Sequence, residues 1–154
     1  MYFRSKYFTT IEVKMPANAL ANKNFNFDTQ SQVQTIIGDQ RVLIEAIETY
    51  SIASLTNSPL TSSNPVAAAA DITKAVLTLR FGSFEGMSQR PLASMCRVLP
   101  NTGGTYSPSV FELATFRDMT KIDWTKSYVT LVANATTVTA FSFVFGVYYD
   151  YLPV

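Results

Sequence analysis

The feature that most constrains this chain is the regular alternation of apolar residues in its closing segment, Thr139 to Val154. Successive side chains of an extended strand point to opposite faces of a sheet, so a period of two predicts a strand. The smaller, partly polar face of this strand predicts a covered, central position in a sheet. The segment is too short and too polar for a membrane helix, which needs about 20 mostly apolar residues. The larger face would carry Phe141, Phe143, Phe145, Val147, Tyr149 and Tyr151.

The same period recurs along the rest of the chain. It is present in TIEVKM, NFNFD, KAVLTLRF, LASMCRVL and VFELATF, and KSYVTLVA is rich in β-branched residues. Seven to eight short strands separated by turn residues predict an all-β fold, an antiparallel β-sandwich or a barrel. Two segments leave a choice: residues 41–52 fit a strand or an amphipathic helix, and AAAADITKAV could begin with a short helix. A bend or bulge is expected at Gly146, because an unbroken closing strand would be too long for this domain.

The connections and the length predict one domain over residues 1–154, preceded by an N-terminal arm at residues 1–8. Residues 54–70 form a long connection rich in Ser, Thr, Asn and Pro that carries no charge. Long loops in compact domains are usually functional or form interfaces. The start MYFRSKYFTT lacks the apolar stretch of a signal peptide, so no secretory signal is expected there.

The composition argues against most kinds of chemistry. The chain has no histidine and one cysteine, which excludes Ser-His-Asp and Cys-His catalysis, histidine metal sites and an internal disulfide. The net charge of +1 offers no basic field for specific nucleic-acid binding. Charged residues make up only 15% of the chain, well below the roughly 25% typical of soluble domains. Such a surface is either neutral and polar or covered by neighbours, and the second interpretation suggests assembly. We therefore predict no enzyme activity, no catalytic or metal-binding residues and no cofactor.

Two carboxylates, Glu45 and Glu48, are close enough in sequence to raise the question of acid–base catalysis. In a strand their side chains would point to opposite faces, and in a helix they would form an exposed pair that repels mildly. A solvated surface position is therefore the favoured interpretation for both.

Aromatic residues are the candidates for contacts with a partner. The arm interleaves basic and aromatic residues, and so many rings in water favour docking over fraying. Trp124 fits a core or interface position better than a ligand-stacking platform. The predicted assembly contacts are Tyr2, Phe3, Arg4, Lys6, Tyr7, Phe8, Trp124, Tyr149 and Tyr151.

The order of these elements resembles a single jelly-roll capsid protein, of the kind that forms the vertex (penton) subunits of icosahedral viruses and phages. The resemblance rests on NFNFD, RVLIEAIETYS, KAVLTLRF, LASMCRVL, VFELATF, KSYVTLV and TAFSFVFGVYYDY, with the uncharged loop after the second of them. It implies two four-stranded sheets packed face to face, with loops at one end contacting neighbours. It further implies a structural virion protein without enzymatic residues.

The partners implied by the resemblance are further copies of the same chain, as a homo-oligomeric pentamer, and other capsid proteins. The arm would lie against the shell interior, a neighbouring subunit or an internal membrane. The location would be the virion, after synthesis in the host cytoplasm. Two other classes stay open: a lectin-like sandwich that binds carbohydrate or a receptor through Trp124, Tyr148, Tyr149 and Tyr151, and an extracellular filament subunit.

Overall fold

The structure is a computed structural model, which describes residues 7–28, 42–50, 64–81, 84–98, 106–108, 110–112 and 122–151. Within these ranges the regular structure is almost entirely β. One turn of α-helix, α1, spans Ala69–Ile72, and one turn of 3-10 helix spans Leu92–Met95. The strands are β1 (Tyr7–Met15), β2 (Asn24–Asn26), β3 (Val42–Tyr50), β4 (Ala75–Phe81), β5 (Phe84–Pro91), β6 (Cys96–Val98), β7 (Tyr106–Pro108), β8 (Val110–Glu112), β9 (Tyr128–Leu131) and β10 (Phe141–Tyr151).

Eight of these strands form two four-stranded antiparallel sheets. Sheet A has the order β1-β10-β3-β8, and sheet B has the order β2-β9-β4-β5. The remaining two strands, β6 and β7, pair as a separate antiparallel hairpin. The prediction of an all-β fold built from antiparallel sheets is confirmed. None of the helices in the described ranges is long and apolar enough to cross a membrane.

A single hydrophobic core joins the two sheets, as in a β-sandwich. From Ile11 to Met15 of β1 the buried residues alternate with more exposed ones, as the sequence predicts. The core takes one face of β1, β4 and β10, with further residues from β3 and β9, and the connections close it at its ends. Its members include Ile11, Val13, Met15, Ile47, Leu77, Leu79, Val129, Leu131, Phe141, Phe143, Phe145 and Val147. Burying one such side chain stabilises the fold by roughly 1.5–3 kcal/mol before entropy is counted.

The closing strand β10 lies in the middle of sheet A, as the sequence predicts. It pairs with β1 on one side and with β3 on the other. Its second face is also covered, because Ser142 and Val144 are buried too. The expected bulge is present but displaced, since the register with β3 shifts between Tyr148 and Tyr149 and not at Gly146.

Gly146 has a different role from the predicted one. A Cβ atom built on it would lie 2.7 Å from Cε2 of Phe8 and 2.8 Å from Oη of Tyr50. Both distances are shorter than ordinary carbon and oxygen contacts, so the missing side chain lets these two residues cover β10. The glycine therefore serves close packing on the outer face of sheet A, the face turned away from the core.

Three local predictions are resolved by the structure. Residues 42–50 of the ambiguous segment form a strand, β3, and α1 supplies the short helix expected near AAAADITKAV. The prediction of a strand for LASMCRVL is wrong in its first half, because Leu92–Met95 forms the 3-10 helix and only Cys96–Val98 is extended. The strand β5 was not predicted at all. Of VFELATF, only Val110–Glu112 is described, as β8.

Candidate assembly surfaces

Three tyrosines gather where β1 begins and β10 ends, at a place that we call the aromatic end (Tyr7, Tyr149 and Tyr151). The rings of Tyr7 and Tyr149 stack with their centroids 5.5 Å apart. Tyr151 meets both rings edge-on, at 5.3 Å from Tyr7 and 5.9 Å from Tyr149. Register explains the contact, because Tyr7 and Tyr149 are direct cross-strand partners. The aromatic end is therefore a packed cluster of rings and not a set of independent side chains.

The predicted contact residues are placed differently from one another. Tyr7, Phe8 and Tyr151 are exposed, at 45%, 48% and 42% of their surface. These three keep large apolar area at the surface, which is what a contact with a partner requires. The predicted contacts Tyr2, Phe3, Arg4 and Lys6 lie outside the described residues.

Trp124 and Tyr149, by contrast, are buried in this chain. Trp124 is 4% exposed and packs edge-on against Phe27 at 5.0 Å between ring centroids. Phe27 in turn contacts Phe145 of the closing strand. The indole therefore belongs to the core and has no free face on which a sugar or a base could stack. Of the two interpretations of Trp124, the core position is the one that the structure supports.

A second group of aromatic side chains lies on the outer face of sheet A, which we call the Glu48 patch (Phe8, Glu48, Tyr50 and Tyr148). The hydroxyl of Tyr148 donates to Oε1 of Glu48 at 2.7 Å, and the hydroxyl of Tyr50 donates to Oε2. The rings of Phe8 and Tyr148 are 5.0 Å apart. All four residues surround Gly146, which pairs directly with Glu48 across the sheet. Glu48 is thus a half-buried anchor for two phenols and not the freely solvated carboxylate that its sequence context predicts.

The surroundings of the Glu48 patch raise the pKa of both phenols that bind Glu48. Burial, together with the hydrogen bond and the charge of Glu48, raises the pKa of Tyr148 to about 12. The same causes, with burial the largest, raise the pKa of Tyr50 further. Both hydroxyls therefore stay protonated, and act as hydrogen-bond donors, over the whole physiological range.

The opposite end of the sheets, which we call the loop end, consists of residues 16–23, 64–74 and 132–140. Two of its segments run side by side. The amide of Asn22 donates to the carbonyl of Leu131 at 2.8 Å, and the amide of Ala135 donates to the carbonyl of Ala19 at 2.9 Å. The side chain of Asn134 accepts a further bond from the amide of Ala21 at 2.9 Å. These bonds hold the loops in one conformation without regular secondary structure.

Apolar side chains project from this ordered end into solvent. Val138 is 71% exposed, and Leu20 and Val132 are also well exposed. No charged residue occurs in the sequence from Ser127 to Tyr149, so Val132 and Val138 have neutral neighbours along their own segment. Depletion of charge around exposed apolar groups is the compositional signal of the centre of a protein interface.

One buried carboxylate connects two segments of the loop end by hydrogen bonds. Asp71, at the base of α1, is fully buried, and its Oδ1 accepts bonds from the amide of Thr136 at 2.7 Å and its hydroxyl at 2.9 Å. Its Oδ2 accepts from the amide of Thr137 at 3.2 Å and from the Thr137 hydroxyl. The ammonium of Lys74 lies 3.8 Å from Oδ1. Burial raises the pKa of Asp71, but these hydrogen bonds lower it by more, so the carboxylate stays ionised.

Neither Asp71 nor Glu48 was expected to matter from the sequence. A signal existed for Asp71, because it is the only charged residue between Glu48 and Lys74. A single charge in a long neutral segment must be either solvated or fully hydrogen-bonded. No comparable signal marks Glu48, since its two phenol partners depend on strand register.

Metal-binding and comparative observations add little to this description. Across the described ranges, no three histidine, cysteine, aspartate or glutamate side chains come together in a way that could hold a metal ion. Comparison of the chain with known protein families, with curated proteins and with solved structures found no match.

Proposed function

We propose that this chain is a structural virion protein, a single jelly-roll capsid subunit that self-assembles into the five-fold vertex or an equivalent position of an icosahedral shell. The observation that carries the proposal is the strand order of the two sheets. The sequence-level resemblance and the surface chemistry of the two ends support it.

The pairing of the strands supports a jelly roll, because the pairs are nested one inside the next. When the hairpin of β6 and β7 is left aside, the first strand pairs with the last, the second with the second-last, and so on inward. These pairs are β1 with β10, β2 with β9, β3 with β8 and β4 with β5, all antiparallel. Successive pairs fall alternately in sheet A and sheet B. A long antiparallel ribbon wrapped over itself produces this nesting, which is the topology of the double-sheet jelly roll.

The fold alone does not specify a function, because lectin and cupin domains also use jelly rolls. Among the functions that jelly-roll domains serve, the distribution of exposed apolar groups favours assembly. Tyr7 and Tyr151 lie at one end of sheet A, and Leu20 and Val138 lie at the other, about 26 Å away along β1. A subunit in a closed ring or shell needs at least two such surfaces, one for each neighbour. The buried position of Trp124 removes one of the two stacking surfaces of the lectin alternative and leaves the tyrosines of β10 as the other.

The proposal is tested by imaging the purified full-length chain by negative-stain electron microscopy and by native mass spectrometry. We expect closed rings or shells whose subunit number is a multiple of five. The substitution Val138→Glu, at the loop end, should reduce assembly while leaving the circular dichroism spectrum unchanged. The matched control Ser88→Glu places the same charge at an exposed position of β5, the edge strand of sheet B.

Removal of residues 1–6 tests the arm separately, since it leaves β1 complete. Particle yield should fall while the chain still folds. A chain that stays monomeric at high concentration would contradict the capsid proposal, and helical particles would identify a filament subunit instead. Binding to a glycan array by a monomeric chain would support the lectin alternative.

A further inference from the structure

We propose that the Glu48 patch on the outer face of sheet A is a binding site for an arginine side chain of another protein chain. The proposal rests on the geometry of Phe8, Glu48, Tyr50 and Tyr148. It does not depend on the capsid proposal, since any arginine-bearing partner would satisfy it.

The carboxylate of Glu48 is held ready for a cation. Each of its oxygens accepts one phenol hydrogen, from Tyr148 at 2.7 Å and from Tyr50. A carboxylate has about four acceptor positions, so each oxygen can accept one more hydrogen bond. The two phenols fix the plane of the carboxylate without neutralising its charge. Because Glu48 is half-buried, its charge attracts a cation more strongly than an exposed carboxylate would.

Among the described residues, no lysine or arginine forms an ion pair with Glu48; the ion pairs seen there join Lys14 to Asp28, Lys74 to Asp71 and Lys126 to Asp123. A half-buried carboxylate gains most from a partner that brings both positive charge and donors. Complementarity of charge therefore selects a cationic group as the occupant.

The neighbouring rings select arginine over lysine. Phe8 keeps 48% of its surface exposed, and its ring lies 5.0 Å from that of Tyr148. A guanidinium group is planar, stacks on aromatic faces and donates two parallel hydrogen bonds to one carboxylate. An ammonium group is a compact point charge, so it neither stacks as a flat group nor donates a parallel pair of hydrogen bonds. Gly146 beneath the patch allows Phe8 and Tyr50 to approach the carboxylate closely, which brings rings and charge within reach of one side chain.

The test uses two short peptides that differ only in charge. Acetyl-Gly-Arg-Gly-amide carries the guanidinium group, and acetyl-Gly-citrulline-Gly-amide carries a neutral urea of the same shape. Saturation-transfer NMR observes the peptide protons and therefore works for the full chain in any assembled form. We expect dose-dependent transfer to the arginine side-chain protons, and transfer at least about tenfold weaker for citrulline.

Two variants locate the site. Glu48→Gln keeps the acceptor oxygen but removes the charge, and it should weaken arginine binding about tenfold. Asp123→Asn is the matched control, because it removes one carboxylate charge from the turn before β9 of sheet B and should leave binding unchanged. Equal binding of both peptides, or undiminished binding by Glu48→Gln, would overturn the proposal.

A third variant decides the case in which Glu48→Gln does not fold, as judged by circular dichroism. Phe8→Leu changes an exposed side chain and removes only the aromatic ring. It should weaken binding of the arginine peptide several-fold, because the stacking surface is lost. Unchanged binding by the folded Phe8→Leu chain would refute the site.

Discussion

Replacing Asp71 by asparagine should destabilise the protein more than any other change of a single charged group in the described structure. The substitution preserves size and shape and removes the negative charge. Asp71 accepts four hydrogen bonds, two from Thr136 and two from Thr137. An asparagine retains one acceptor oxygen, so one threonine keeps its partner and the other faces an NH₂ group that can only donate.

The magnitude follows from the two bonds that are lost. A hydrogen bond to a charged group contributes about 1.5–3 kcal/mol, and a buried donor left without a partner adds to the cost. Neighbouring bonds are not additive, because all four share one carboxylate. We expect Asp71→Asn to lower the free energy of unfolding by about 2–4 kcal/mol. For a domain of this size that is a large fraction of the total stability.

Urea denaturation followed by circular dichroism measures this difference, and Asp123→Asn is the matched control. Asp123 also accepts from a threonine, with bonds from the amide of Thr125 at 3.1 Å and its hydroxyl at 2.6 Å. Its side chain is only partly buried and lies on an exposed turn. The control substitution should therefore cost about 1 kcal/mol or less.

The pH dependence gives an independent check on the cause. The folded pKa of Asp71 is lowered, so at acid pH the unfolded chain binds this proton before the folded chain does. The stability due to the charge is therefore complete above the unfolded pKa of about 3.9 and is lost as pH falls through the folded pKa. The gap between the natural chain and Asp71→Asn should be constant near neutral pH and should narrow below about pH 4. A gap under about 0.5 kcal/mol at neutral pH, or one that does not narrow in acid, would refute this account.

Three further predictions concern the core and the outer face. Phe143→Ala should cost about 3–5 kcal/mol in urea denaturation, because Phe143 is fully buried, whereas Val138→Ala at the loop end should cost under about 0.5 kcal/mol. Trp124, the single tryptophan, should resist quenching by acrylamide and shift its emission to the red on unfolding; strong quenching of the folded chain would contradict its core position. Gly146→Ala should lower the free energy of unfolding by about 1 kcal/mol or less, because the atoms that its Cβ would meet are the ends of the Phe8 and Tyr50 side chains, which can turn away; a loss above about 3 kcal/mol in urea denaturation would contradict this.

The sequence was informative where burial determines which side chains a strand carries on each face. Alternation in β1 and β10 specifies which residues face the core, and Ile11, Val13 and Phe143 lie where that pattern puts them. The central position of β10 was also predictable, because only a strand covered on both faces can carry so few polar residues. These features depend on the burial of side chains, and burial determines whether each residue in the sequence is apolar or polar.

Prediction failed where backbone pairing or local geometry decides the structure. The strand β5, FEGMSQRP, lacks regular alternation, yet it pairs with β4 at the edge of sheet B. An edge strand needs backbone hydrogen bonds and little burial, so its side chains leave a weak pattern. In LASMCRVL the apolar residues Leu92 and Met95 are both buried at a spacing of three, which also fits the turn of 3-10 helix that forms there.

The two surface clusters could be predicted only in part. Aromatic residues at the two termini of the chain were singled out, and the aromatic end brings Tyr7 and Tyr151 together. Their contact follows from the pairing of β1 with β10, which connects residues more than a hundred positions apart in the sequence. The partners of Glu48 and Asp71 have the same origin. Polar networks across distant segments depend on register, and register is a property of the assembled sheet.

The pairing of β10 explains why exposed apolar area lies near the ends of this strand and not along its edges. A neutral, aromatic strand such as β10 would aggregate if it lay at an edge. Both of its backbone edges are paired, and its two faces are covered by the core and by the Glu48 patch. Exposed apolar area therefore remains where the strand begins and ends, at Val138 and at Tyr151. Variants that add charge at these two positions should alter assembly without altering folding, whereas a charge at Val144, buried on the outer face, should prevent folding itself.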